Sequence, residues 1–156
     1  MNSTAFKHNP EDSHQILVDS CNANKEKVLL IDDDRVFGSI IKNTATHFGM
    51  NLDTLVDAPS RRKLTLIDDY DLLLLDYDLE STTGFAFAEV LNKAMPYMPI
   101  ILISSSNRPT ADKLFELPNI IGFVSKWTKP EEFFLRSLEL YRNMPMLGLG
   151  HQAAAV

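Results

Sequence analysis

At 156 residues the chain is long enough for one domain with a real core and too short for two comfortable ones. Fifteen basic against twenty-one acidic residues leave a net charge of −6, which argues against nucleic-acid binding through an overall basic surface. The single cysteine, Cys21, excludes an internal disulfide and fits a reducing compartment, and apolar runs of no more than about five residues cannot cross a bilayer. The polar start Met1-Asn2-Ser3-Thr4 lacks the apolar stretch of a signal peptide, so a soluble cytoplasmic protein without membrane insertion is expected.

Residues 1–25 are rich in Asn, Ser, Asp and Glu, and their apolar cluster, Ile16-Leu17-Val18, is too small to form a core, so they read as a mobile or loosely docked extension. Strand and helix patterns then alternate over 26–143. Lys27 to Ile31 reads as a strand, and Val36, Phe37, Ile40, Ile41, Thr44 and Phe48 recur at helical spacing until Gly49 supplies a stop. Leu52 to Val56 reads as a weaker strand, followed by a short helix with Pro59 near its start and Leu64 and Ile67 turned inward. Asp71 to Leu75 is the expected central strand. Phe87, Val90, Leu91 and Ala94 supply the apolar face of the next helix, Pro96 and Pro99 break the chain, and Ile100 to Ile103 form a fully apolar strand. A short helix is expected after Pro109, carrying Ala111, Leu114 and Phe115, and Ile120 to Val124 is the fifth strand. Thr128-Lys129-Pro130-Glu131 has the form of a capping box opening a last helix through about Asn143. Residues 144–156 lack helical periodicity until their end and read as a disordered tail; neither end resembles an output domain, and no internal repeat is present.

Strands alternating with helices imply an α/β fold with a parallel sheet covered on both faces, and nearly uninterrupted apolar strands are what burial on both faces requires. In such open sheets ligands gather at the carboxyl ends of the strands, beside the point where strand order reverses. Asp32, Asp33, Asp76, Ser104 and Lys126 all fall at predicted carboxyl ends. Carboxylates brought within about 5 Å of one another repel by roughly 3 kcal/mol per pair at an effective dielectric near 20, so the cluster calls for a cation. An all-oxygen donor set favours a hard ion, and Mg²⁺ suits a site that keeps waters and shares its coordination with a phosphate. His8, His14, His47 and His151 are scattered over tails and a helix and do not fit a ligand set. With a metal holding phosphate oxygens, Asp76 can act as nucleophile and take a phosphoryl group as an acyl phosphate, while the Ser104 hydroxyl and Lys126 ammonium meet the spread charge.

These residues resemble the receiver domain of bacterial two-component response regulators, the stand-alone chemotaxis type included, over roughly Lys27 to Asn143. The order is an acidic pair after the first strand, an Asp after the third, a Ser after the fourth and a Lys after the fifth. Separations of 43 residues from Asp33 to Asp76, 28 to Ser104 and 22 to Lys126 are similar to the family's spacing, and Gly84 also matches. The resemblance implies a flavodoxin-like (βα)5 fold with strand order 2-1-3-4-5. It implies Asp76 as phosphoacceptor and Mg²⁺ held by the side chains of Asp33 and Asp76 and the backbone carbonyl of Asp78, with Asp32 acting mainly through water. It makes Ser104 and Phe123 a switch pair, in which the hydroxyl moves toward the phosphate and the aromatic ring turns inward. The implied donor is a histidine kinase or histidine phosphotransfer protein, and the implied chemistry is self-phosphorylation and slow self-dephosphorylation, with Asp78 and Ser106 tuning the rate, rather than enzymatic turnover.

Three positions depart from the family pattern. Glu80 stands where a proline is common four residues after the phosphoacceptor, which predicts a differently aimed loop. Trp127 replaces the usual cis proline after the lysine; a cis bond before a non-proline residue costs about 3–4 kcal/mol, so a trans Lys126-Trp127 bond and an altered loop are expected. Phe123 lacks the hydroxyl that a tyrosine would offer partners. Trp127 fits two roles, a cap over the core or an anchor for a partner. Arg61-Arg62-Lys63 reads as a solvated helix face or as a site for an acidic partner.

Two other functions share some of these features. Asp76-Tyr77-Asp78 resembles the Asp-x-Asp start of haloacid-dehalogenase-type phosphatases, although Glu80 stands where that family expects Thr or Val. The Trp127 substitution also fits a receiver-shaped binding module that no longer takes phosphate. The expected function is a single-domain, phosphorylation-dependent switch or phosphorelay intermediate. Its output would be transient binding to another protein, with no direct nucleic-acid contact, through the fourth helix, fifth strand and fifth helix.

Overall fold

The computed structural model describes residues 26–105 and 116–145. Strands β1 (Lys27–Ile31), β2 (Asn51–Leu55), β3 (Leu72–Asp76), β4 (Ile100–Ser104) and β5 (Ile120–Ser125) form one sheet in the order β2-β1-β3-β4-β5. Every pairing is parallel, with Val28 facing Leu52 on one side and Leu72 on the other, and Asp76 facing Ile103. The order reverses between β1 and β3, which places the ends of those strands at the switch point where such sheets bind ligands. Among the described residues the helices are α1 (Arg35–His47), a 3₁₀ helix (Arg61–Leu66), α2 (Gly84–Ala94) and α3 (Pro130–Arg142). The helix expected after Pro109, the 1–25 extension and the tail beyond Pro145 lie outside the described residues.

Period-two alternation divides the strands between two cores. Val28, Leu30, Leu72, Leu74, Ile101, Ile103 and Val124 face α1 and α3 and meet Phe133 and Phe134. Leu29, Ile31, Leu73, Leu75, Ile100 and Leu102 face the other way, against Phe87, Ala88 and Leu91 of α2. Both faces of β3 and β4 are therefore buried, and their uninterrupted apolar runs follow. Edge strand β2 buries Leu52 and leaves Asn51, Asp53 and Thr54 exposed.

Several local expectations are corrected. On α1 the buried positions are Gly38, Ile41, Thr44 and Ala45, while Val36 is 70 % exposed and Ile40 and Phe48 are also largely outside. Period alone could not say which of two adjacent apolar stripes faces the sheet; the one that does runs through the expected Ile41 and Thr44 and adds Gly38 and Ala45. On α2 the same holds for Ala88, which is buried, against Ala94, which is exposed. The short helix after β2 is 3₁₀, with Leu64 half-buried and Ile67 buried just after it. The capping box does not form: α3 begins at Pro130 with Lys129 at the N-cap and no side-chain capping bond, because proline at the first helical position displaces the start by one residue from Thr128. Gly49 does end α1, with φ at 67°.

Candidate functional site

Each candidate side chain is delivered by the end of a strand. Asp32 follows β1, and its backbone N–H donates to the carbonyl of Leu55 at 2.9 Å, so the chain is still held to β2 as it leaves the sheet. Asp76 is the last residue of β3 and Ser104 the last of β4; with Asp32 they are among the few polar side chains in the core. Lys126 follows β5, its N–H donating to the carbonyl of Ser104 at 3.0 Å.

The Lys126 ammonium bridges two buried carboxylates, 2.7 Å from Oδ2 of Asp32 and 3.1 Å from Oδ2 of Asp76. It also sits 5.1 Å from the centre of the Phe37 ring, which is held edge-on against Phe133. Phe37 is a site residue that the sequence did not reveal; its helical spacing marks it as core, and only the fold brings its face to the lysine. Asp32 Oδ1 accepts from the N–H of Asp34 at 2.9 Å, while Oδ2 pairs with the Lys126 ammonium at 2.7 Å.

Burial sets the proton affinities. It pushes Asp76 up to about 6, Asp32 adds to this by repulsion, and Lys126 and the N–H of Asp78 pull the other way. Asp32 is likewise raised by burial, against the opposing pull of Lys126 and the Asp34 N–H. Burial alone would lower Lys126, but its bonds and attraction to Asp32 and Asp76 outweigh that and raise it. The lysine thus stays charged, and at neutral pH Asp76 is still mostly ionised while more basic than an ordinary carboxylate.

The acidic run after β1 divides its labour. Carboxylate oxygens of Asp32, Asp33 and Asp76 lie within 4.8 Å of one another, with Asp33 exposed at the mouth. Asp34 instead caps α1, accepting from the N–H groups of Val36 and Phe37 at 2.9 and 3.0 Å. The Asp78 side chain is exposed and stands outside that oxygen cluster, and its backbone bridges to Thr83 across the loop. Phe123 is half-buried on the α2 side of the sheet, facing Leu102 across the ladder. Trp127 is 80 % exposed and so does not cap the core; its indole N–H donates to the carbonyl of Ser105. Among the described residues every peptide bond is trans.

Residues 28–136 match the family model of the response regulator receiver domain. The chain is a receiver domain of that family. Among curated relatives, the transcriptional regulatory protein CusR of Escherichia coli is 28 % identical over 79 residues, covering 51 % of this chain and 35 % of that protein. The transcriptional regulatory protein TcrA of Mycobacterium tuberculosis is 26 % identical over 125 residues, covering 77 % of this chain and 47 % of that protein. The chain thus matches about half or less of the length of these relatives. Among solved structures, the receiver domain of the Francisella response regulator 1452 has a TM-score of 0.62 at 23 % identity, covering 76 % of this chain and 98 % of the other. Vibrio cholerae chemotaxis protein CheY4 has a TM-score of 0.64 at 21 % identity, covering 74 % and 98 %. These likenesses show the fold.

Receiver domains generally bind Mg²⁺ through acidic residues, and the donor set here suits that ion. Its members are all oxygen, and they converge from two strand ends with Asp33 open to solvent. No helix among the described residues is long and apolar enough to cross a membrane.

Proposed function

We infer that this receiver, over 26–143, accepts a phosphoryl group on Asp76 from a histidine kinase or histidine phosphotransfer protein and acts as a phosphorylation-dependent protein-binding switch or relay intermediate in the cytoplasm. The observation that carries this reading is the Lys126 bridge to Asp32 and Asp76 beside the buried Ser104, a cation and a hydroxyl converging on a basic carboxylate. A carboxylate oxygen of Asp76 attacks phosphorus, the phosphorus–nitrogen bond of the donor phosphohistidine breaks, and the imidazole leaves with the electron pair and takes up a proton. Lys126 then has phosphoryl oxygens to pair with, and the Ser104 hydroxyl donates to another. Asp33 and Asp76 by side chain, Asp78 by its carbonyl and Asp32 through water would hold Mg²⁺, which supplies charge neutralisation for the transferring group. Ser104 and Phe123 form the switch pair, the half-buried ring turning inward as the hydroxyl moves.

Incubation with Mg²⁺ and acetyl phosphate tests the reading. A mass gain of one phosphoryl group, lost in Asp76→Asn, is the expected result. No gain with either a small-molecule donor or a phosphohistidine protein would favour the binding module that Trp127 suggests. Steady hydrolysis of a generic phosphate ester would instead favour the phosphatase alternative.

A further inference from the structure

Trp127 follows Lys126 directly, yet at 80 % exposure it gains little from apolar burial, and polar bonds hold it. Its indole N–H donates to the carbonyl of Ser105, and its backbone N–H to Ser125 Oγ at 3.3 Å. Both contacts lead back to the site. Ser104 and Ser125 face each other on the last rung of the β4–β5 ladder, and the Lys126 N–H donates to the Ser104 carbonyl at 3.0 Å. The indole bond adds one tie beyond that rung, joining the residue after the hydroxyl to the residue after the ammonium.

We propose that Trp127 is a positioning residue whose indole bond to Ser105 holds Ser104 in its phosphoryl-free place and is given up when the Ser104 hydroxyl is drawn toward a phosphoryl group on Asp76, releasing the indole at the surface. The inference rests on the acceptor role of Asp76. The acceptor of the indole bond is the carbonyl of Ser105, the residue directly after Ser104, so a shift of the β4 end that carries the hydroxyl displaces it. The donor is pinned on the other side, by the Lys126 bridge to Asp32 at 2.7 Å and by Pro130 at the start of α3. The two ends are joined at the Ser104–Lys126 rung, so the indole bond is lost where Ser105 moves relative to that rung. A bond made in one state and lost in the other biases the equilibrium against the second.

Trp127 is the only tryptophan in the chain, so its emission reports this bond without background. The full chain is titrated with beryllofluoride in Mg²⁺, with loading followed separately by the NMR signal of bound fluoride. In the wild type the indole emission should shift in step with loading. Trp127→Phe, which keeps an aromatic ring but has no N–H, should load with an apparent affinity about three- to tenfold higher. Ser104→Ala, driven to full loading at higher concentration, should leave the indole emission unmoved. Equal affinities for the wild type and Trp127→Phe, or loading of the wild type without an indole shift, would overturn the inference while leaving the acceptor reading intact. An absence of bound fluoride in the wild type would overturn both.

Discussion

The carbonyl oxygen of Asp76 lies 2.1 Å from the point where a Cβ on Gly84 would stand, so the main chain of the acceptor and the first turn of α2 are in direct contact. The Gly84 N–H donates to Tyr77 at 2.8 Å, and Thr83 caps the helix by accepting from Ala86 at 3.1 Å. The obstacle to any side chain is main chain, which cannot swing aside. Gly84→Ala should cost about 1–3 kcal/mol of stability and, on the proposed acceptor role, slow phosphoryl uptake, because the atoms forced to shift belong to Asp76. Gly38→Ala is the control, since its Cβ would meet Thr54 at Cγ2, 3.6 Å, and Cβ, 3.9 Å, both ordinary contacts. In the interior of α1 that change should stabilise by up to about 1 kcal/mol. Urea unfolding of both variants checks the pair; equal midpoints would remove the close-approach role of Gly84.

Asp76 makes a pH prediction in the absence of metal. Its proton affinity is raised to about 6 in the fold, so folding favours the protonated acid. This contribution is fully present below the ordinary carboxylate range and is lost as pH rises through about 6. In chelator, Asp76→Asn should therefore melt above the wild type at pH 7.5, by on the order of 1–2 kcal/mol, and the gap should close as pH falls below about 5. Taking the difference between variants cancels the other titrating groups. A gap that widened toward acid would reverse the sign and refute the burial argument. Asp33 is exposed, so the stabilising effect expected for Asp33→Asn in chelator should be the smaller of the two.

Asp34 supports a prediction that separates structure from chemistry. It accepts two N–H groups at the start of α1, whereas Asp32 and Asp33 stand with Asp76. Asp34→Ala should cost about 0.5–2 kcal/mol in thermal or urea unfolding through loss of the cap. The Mg²⁺ concentration that half-saturates the shift in melting temperature should stay unchanged. A weakened metal response would mean that Asp34 belongs to the ion site.

Much of the fold is legible because burial on both sheet faces writes itself as unbroken apolar runs, and each run here ends in a residue of the candidate site. Leu72 to Leu75 lead into Asp76, and Ile100 to Ile103 lead into Ser104, so the runs themselves mark strand ends that meet. The capping role of Asp34 was not legible, because which residue meets the free N–H groups of α1 depends on where that helix begins relative to β1. Phe37 under the lysine was hidden for the same reason: the relation joins α1 to the end of β5. Of the two roles open to Trp127, the core cap is excluded by its exposure, and the indole meets a carbonyl instead of a core.

The Lys126 bridge yields the sharpest test of charge balance. Its side chain is 12 % exposed, and those of Asp32 and Asp76 are 1 % and 4 % exposed, so the ammonium neutralises two carboxylates that water barely reaches. Lys126→Met keeps most of the stem against Phe37 while removing the charge. Leaving buried carboxylates unpaired should lower stability in chelator by about 3–5 kcal/mol at neutral pH, and less in acid, where protonation relieves them. Mg²⁺ should then do part of the lysine's work, so the rise in melting temperature on adding it should be larger in the variant than in the wild type. Phosphoryl uptake should remain impaired in saturating Mg²⁺, because the missing ammonium is the group placed to meet phosphoryl oxygens. Differential scanning fluorimetry with and without Mg²⁺ across pH checks the first two expectations, and acetyl phosphate labelling the third. A variant as stable as the wild type in chelator would mean that the carboxylates are already neutral and that the bridge contributes nothing to the fold.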